Sequence, residues 1–324
     1  MSGAARGPSG EVTVLGAGAF GAALAVALAR AGRTVALVAR DAAAALAMAG
    51  AREAPRLPGV RLPEGVRPVA EAPEAAEAVL LAVPAQALGA ALRARPLPNA
   101  PLVACCKGID LATLTGPAGV IEAYRPDAVA AVLTGPSFAT DVARGLPTAL
   151  TLACARPREG EALQRLLSTE TLRLYTTDDV MGAQIGGALK NVTAIACGAA
   201  MGAGLGESAR AALLTRGHAE TVRLAVALGA RPETLAGLSG LGDLALTCTS
   251  EHSRNFRHGL ALGRGAAPEA GTVEGVATAR AAARLAREGG MELPVAEAVD
   301  AITEGRHGVL EAARALLARP LTKE

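Results

Sequence analysis

Lysine is nearly missing from this chain. Three of its 32 basic residues are lysines, Lys107, Lys190 and Lys323, and the other 29 are arginines. Arginine serves as a surface cation but cannot give up its proton, because its pKa lies above about 12. Lysine is needed where a compact charge must fit or a proton must move. Lys107 and Lys190 stand in apolar, glycine-rich segments, ACCKGID and QIGGALKNVTAI, so they are candidates for chemistry. Tryptophan is absent and aromatics make up 2% of the chain, which argues against base-stacking platforms. The net charge of +2 offers no surface for nucleic acid or acidic membranes. Apolar stretches are interrupted by glycine, proline or charge before they reach membrane length. The opening MSGAARGPSG lacks an apolar segment, so a frayed tail is expected there rather than a signal peptide. Five cysteines (105, 106, 154, 197, 248) have no metal-ligand spacing and lie in apolar contexts, as reduced, buried thiols of a cytosolic protein would. Four histidines (218, 252, 258, 307) form neither a triad nor a metal pattern, and no metal is expected.

The 324 residues suffice for two domains. Short apolar runs predict buried strands at Val12–Leu15, Thr34–Ala39, Val79–Val83, Leu102–Cys106, Ala128–Leu133 and Ala149–Ala153. Helical spacing covers Phe20–Ala31, with Gly32 closing that helix. Alternation of this kind predicts an α/β fold with a doubly wound, mostly parallel sheet. After Asp178-Asp179 the pattern becomes helical. Ser208 is expected to cap a long helix ending near Gly229, and Pro232, Pro294 and Gly308 are expected to start later ones. The division falls near 178–185.

Gly16-Ala17-Gly18-Ala19-Phe20-Gly21 follows the first strand and opens a helix. In that context the first glycine makes the turn, the second admits a pyrophosphate, and the third lets helix and strand pack. Arg40 stands at the end of the second strand, where a pure NAD site usually offers a carboxylate. It either pairs with a 2′-phosphate, making NADPH acceptable, or is an exposed arginine. Lys107-Gly108 and Gly135-Pro136-Ser137-Phe138-Ala139 each follow a strand, on the rim where open α/β sheets bind ligands. Gly186, Gly187 and Ala188 ahead of Lys190 are expected to leave room for a ligand beside the backbone. Asp243, in GLGDL, needs a partner if buried, and Lys190 is the obvious one. Ser253-Arg254-Asn255 places a hydroxyl, a guanidinium and an amide side by side, a set that fits a phosphate monoester or a solvated turn. Glu274 is an isolated acid that would also suit a helix start.

From Val12 to Gly275 the series GAGAFG, AVP, KG, GPSFA, GLPTA, QIGGALKN, TRG, GLGDLALTCTS, SRN, VEG resembles the NAD(P)-dependent glycerol-3-phosphate dehydrogenases of the bacterial type. The resemblance implies a tail over residues 1–10, a Rossmann-type dinucleotide domain over 11–180 and an all-helical substrate domain over 181–324. It implies interconversion of dihydroxyacetone phosphate and sn-glycerol 3-phosphate with NADPH or NADH, supplying glycerol 3-phosphate for phospholipid synthesis. A cytoplasmic homodimer is implied as well. Carried over by position, Lys190 matches the catalytic acid/base, with Asp243 and Lys107 beside it. Lys107, Gly135, Ser137, Lys190, Asp243, Ser253, Arg254 and Asn255 match substrate contacts. Gly16, Gly18, Ala19, Phe20, Gly21, Arg40, Lys107, Ala139, Arg254 and Glu274 match cofactor contacts. Ala19 departs from the small polar residue common in that loop, and Cys105-Cys106 from the small residue or threonine expected before Lys107. Two other readings stay open at this point: a β-hydroxyacid dehydrogenase acting on a carboxylate, and a non-catalytic dinucleotide sensor.

Overall fold

The computed structural model describes residues 10–269 and 271–318. All but Gly10 of the expected tail lies outside them, as does Lys323. Eight strands are described: β1 (Glu11–Leu15), β2 (Thr34–Val38), β3 (Val66–Val69), β4 (Ala78–Leu81), β5 (Leu102–Ala104), β6 (Ala130–Thr134), β7 (Thr148–Cys154) and β8 (Leu172–Thr177). Among them run α1 (Ala19–Arg30), α2 (Ala42–Ala51), α3 (Leu88–Ala94), α4 (Pro117–Tyr124), α5 (Ala139–Arg144) and α6 (Pro157–Leu167). From Val180 onward the described elements are helical: α7 (Val180–Gly202), α8 (Gly206–Ala227), α9 (Pro232–Ala236), α10 (Asp243–Cys248), α11 (Arg254–Gly263), α12 (Glu274–Glu288), α13 (Pro294–Thr303) and α14 (Val309–Leu317).

The strands form one sheet in the order β3-β2-β1-β4-β5-β6-β7-β8, parallel except between β6 and β7. Alternate residues serve two cores. Val12, Val14, Leu80, Val103 and Leu133 face α1, α5 and α6, whereas Val79, Leu81, Leu102, Ala104 and Val132 face α3 and α4. Burial on both faces explains the unbroken Val/Ala/Leu runs that made these strands legible. Strand order reverses between β1 and β4, and a doubly wound sheet opens its ligand crevice at that switch point. Two strands escape the sequence pattern, both at sheet edges. β3 contains Pro68, which an edge strand tolerates because one side of its ladder has no neighbour. β8, LRLYTT, alternates buried and exposed residues and carries little apolar signal.

The 23-residue α7 is buried on all sides from Gly182 to Ala200. It packs against α11 at backbone distance. A Cβ on Gly198 would lie 2.0 Å from the Phe256 carbonyl oxygen, and one on Gly259 would lie 2.0 Å from that of Ile195. These glycines set the spacing between the helix carrying Lys190 and the helix starting at Arg254. The expected cap at Ser208 is not found. Gly204 and Gly206 take positive φ (+74° and +86°) and turn the chain directly from α7 into α8, leaving Ser208 inside the first turn. Pro232, Pro294 and Gly308 begin helices as expected.

Glu220 on α8 is 4% exposed and accepts from the Val295 and Ala296 amides at the start of α13 (2.8 and 3.3 Å). Burial raises its pKa to about 7, and the two amides oppose the rise. Folded Glu220 therefore holds its proton more tightly than the unfolded chain does. Its contribution is complete below about pH 4.5 and is lost as pH rises through 7, by roughly 3 kcal/mol. Glu220→Gln is expected to flatten the fall in unfolding free energy between pH 5 and 8. Urea titrations at both pH values check this, and parallel losses in variant and parent would refute it.

Candidate active site

Gly16 ends β1 at φ +111°, a conformation that L side chains rarely adopt, and its amide donates to the Val38 carbonyl (3.1 Å). A Cβ there would also strike the Ala82 carbonyl at 2.8 Å. Gly21 is equally constrained, since its Cβ would lie 2.0 Å from the Gly16 oxygen. Gly18 is different: a Cβ there would meet nothing within 4 Å. The turn is thus closed where helix and strand must touch and open where a pyrophosphate would come. No side chain caps α1, so its first amides, at Ala19, Phe20 and Gly21, face that space. The residues present fit a dinucleotide.

Opposite the sheet, Asp243 is 0% exposed at the start of α10 and holds both lysines. Lys190 Nζ, from α7, donates to Asp243 Oδ1 (2.6 Å) and to Thr247 Oγ1 (2.8 Å). Lys107 Nζ, from the loop after β5, donates to Asp243 Oδ2 (2.5 Å) and to the Gly135 carbonyl (2.9 Å). The lysine pair is therefore tied to a single carboxylate. Lys190 is lowered to about 8: burial pushes it down, Asp243 offsets part of that fall, and the Lys107 charge adds to it. An amine at that value is mostly ammonium at neutral pH and loses its proton readily, as a donor in a reversible reaction must.

Thr247 escaped the sequence reading. It lies four residues after Asp243, hence on the same helix face, and that spacing was the available signal. Gly186 and Gly187 do not open space for a ligand. A Cβ on Gly186 would meet the Ser239 carbonyl at 2.7 Å, and one on Gly187 would meet Thr134 Oγ1 at 2.4 Å. They let α7 press against the π-helical turn Leu238–Gly242 and against the end of β6, which brings Lys190 to Asp243.

Gly135 takes φ +135° at the end of β6, and Ser137 Oγ also donates to its carbonyl (3.3 Å). Ala139 begins α5 just beyond. Phe138 meets His252 at 5.5 Å between ring centroids, linking this loop to the one before α11. Ser253 accepts from the Phe256 amide (3.2 Å) as the cap of α11 and keeps its hydroxyl hydrogen for another acceptor. Arg254 is exposed at the first position of that helix. Asn255 turns inward, donating to Asn191 Oδ1 (2.9 Å) beside Lys190 and accepting from the Gly275 amide (3.0 Å), so one amide hydrogen remains. Glu274 starts α12, and its Oε1 accepts from the Ala85 amide (3.2 Å) across the crevice. Burial raises its pKa, against the Ala85 amide and the Arg254 charge. Arg40 lies apart, at the end of β2, exposed and paired with Asp41 (Nε to Oδ2, 3.2 Å). The five cysteines are free and buried, and burial raises Cys105 to about 12 and pushes Cys106 up further. Among the described residues no three metal-ligating side chains gather, and no helix is long and apolar enough to cross a membrane. A mostly apolar cavity of about 990 Å³ between α7, α8, α13 and α14 has Glu220 and Val295 in its wall and none of the candidate active-site residues.

A dinucleotide turn at the sheet's switch point, facing a lysine poised near neutrality, defines a nicotinamide-dependent dehydrogenase. Residues 11–159 match the model for the N-terminus of NAD-dependent glycerol-3-phosphate dehydrogenase, and residues 179–314 the model for its C-terminus. The chain belongs to that family. It is 59% identical over 318 residues to glycerol-3-phosphate dehydrogenase (NAD(P)+) of Paracoccus denitrificans, covering 97% of this chain and 100% of the relative. It is 60% identical over 317 residues, with the same coverage, to the Cereibacter sphaeroides enzyme of that name. The crystal structure of glycerol-3-phosphate dehydrogenase from Coxiella burnetii superposes with a TM-score of 0.90 at 34% identity, covering 96% of this chain and 99% of that one.

Proposed function

We propose that this chain interconverts dihydroxyacetone phosphate and sn-glycerol 3-phosphate, with Lys190 as the acid/base and Asp243 and Lys107 beside it. When bound, the reduced nicotinamide supplies the hydride. Lys190, as ammonium, polarises the C2 carbonyl and passes a proton to its oxygen. Asp243 keeps Lys190 charged and aimed, and Thr247 takes a second of its three hydrogens, which leaves one for the substrate oxygen. Lys107, on the other carboxylate oxygen, turns its charge toward the substrate's polar oxygens, beside Gly135 and Ser137. Arg254 offers the phosphate a bidentate fork, with the Ser253 hydroxyl and the remaining Asn255 hydrogen next to it. The GAGAFG turn holds the cofactor pyrophosphate, Ala139 and Glu274 flank the cofactor, and Arg40 meets its adenosine end. The same reading divides the chain near residue 180. In support, one family model ends at residue 159 and the other begins at 179, and the sheet ends at Thr177. A homodimer and a cytoplasmic setting belong to the proposal on the resemblance alone.

The observation that carries this reading is the carboxylate of Asp243 shared between Lys190 and Lys107. A dinucleotide sensor has no use for a buried proton donor with its pKa brought near 8. The test is oxidation of NADH and NADPH with dihydroxyacetone phosphate and with a panel of keto acids. Turnover is expected with the phosphate substrate. Turnover confined to keto acids would replace this reading with that of a β-hydroxyacid dehydrogenase.

A further inference from the structure

The end of β2 is held by an arginine from another part of the sheet. Arg95 follows the last residue of α3 and is half-buried. Its Nη1 donates to the Ala70 carbonyl (2.9 Å) and its Nη2 to the Arg40 carbonyl (2.7 Å). Ala70 lies just past β3 and Arg40 just past β2, so one rigid fork joins the carboxyl ends of two neighbouring strands. The backbone of Arg95 is itself secured, because Arg125 donates from Nη2 to the carbonyls of Leu92 (2.7 Å) and Arg95 (3.1 Å). The turn it holds has a second anchor, since Asp41 Oδ1 accepts from the Ala44 amide (2.8 Å) and caps α2. What this assembly leaves in solvent is the Arg40 side chain, 91% exposed and ion-paired with Asp41 (3.2 Å). β1 and β2 pair in register from Glu11↔Thr34 to Leu15↔Val38, so Arg40 emerges next to the pyrophosphate turn.

We propose that Arg95 is a positioning residue for cofactor choice: by gripping the Arg40 carbonyl it presents the Arg40 guanidinium to the 2′-phosphate of NADPH. The inference rests on the reading that Arg40 meets that phosphate. A bidentate guanidinium–phosphate contact depends on angle as well as distance. The turn beneath it must therefore be stiff, and without Arg95 the Arg40 carbonyl loses its side-chain donor, leaving the turn to the Asp41 cap and the Ala39 amide bond to the Val69 carbonyl (2.8 Å). NADH carries a hydroxyl at that point and makes no such demand. Lysine at position 95 keeps the charge but, as a point donor, cannot reproduce the planar fork that spans two carbonyls.

The test is fluorescence titration of full-length protein with NADPH and with NADH, for Arg95→Gln, Arg95→Lys, Arg40→Ala and Arg40→Ala/Arg95→Gln, with melting temperatures taken alongside. Both Arg95 variants are expected to weaken NADPH by about tenfold, the worth of one charge-assisted contact, and NADH by less than about twofold. Arg40→Ala should lose at least as much NADPH affinity, and adding Arg95→Gln to it should cost nothing further. Equal weakening of both cofactors, or full NADPH affinity in Arg95→Lys, overturns the positioning role. An unchanged NADPH affinity in Arg40→Ala instead removes the Arg40 reading itself. A loss in Arg40→Ala with none in Arg95→Gln removes Arg95 alone.

Discussion

Lys190→Ala is expected to lower kcat by roughly 10²–10⁴-fold, the usual worth of a positioned general acid, while NADPH binds as before. The cofactor turn and Arg40 lie on the sheet, and Lys190 lies on α7 facing α10, so the loss should fall on turnover. The pH profile gives the sharper reading. Lys190 is brought down to about 8 by burial, against the pull of Asp243. Reduction needs the ammonium, so its rate should fall as pH rises through about 8. Oxidation of glycerol 3-phosphate needs the free amine, so its rate should climb over the same interval. Opposite limbs from one group are the signature of a donor that is also the acceptor in reverse, and neither limb should survive in Lys190→Ala. Steady-state rates in both directions from pH 6 to 10 check this. Near-normal turnover in the variant, or limbs that persist without Lys190, would exclude it as the acid/base.

The sequence made parts of this site legible and hid others for physical reasons. Lysine scarcity pointed to Lys107 and Lys190 because an arginine-rich chain keeps lysine where arginine fails. Their positions suggested a division, with Lys107 on the sheet rim as a binding charge and Lys190 partnered by Asp243 as the proton donor. The fold places both on the same carboxylate, since a carboxylate has two oxygens and α10 arrives between α7 and the β5 loop. No local pattern encodes that, because the three residues are separated by 53 to 136 positions. Thr247 was hidden as one more residue of a short helix. Gly186 and Gly187 were visible but misread, because a glycine that admits a ligand and a glycine that admits another backbone look alike in one dimension. The interior strands stood out because both faces are buried. β3 and β8 did not, because an edge strand shares its residues with solvent.

Asp243→Asn should be the most damaging isosteric change in the molecule. The amide keeps the size of the carboxylate but not its charge or its two acceptors. One of its positions becomes an NH₂, which points hydrogens at a lysine ammonium that has none but hydrogens to return. Two positive charges then share a site that is 0% exposed at Asp243 and 8% exposed at Lys190, with no counterion between them. Breaking a buried pair by removing one partner costs about 3–5 kcal/mol. Part of that cost is relieved by a further fall in the Lys190 pKa, which disarms the acid at neutral pH. Turnover and stability should therefore fall together. The double variant Lys190→Met/Asp243→Asn distinguishes this account from simple disruption of α10. Removing the second charge leaves Lys107 with its Gly135 carbonyl and a neutral neighbour. If charge is the cause, the double variant should be more stable to urea than Asp243→Asn alone, although both are inactive. If α10 is merely distorted, the two losses should add, since contacts destroyed twice are not restored by a second deletion.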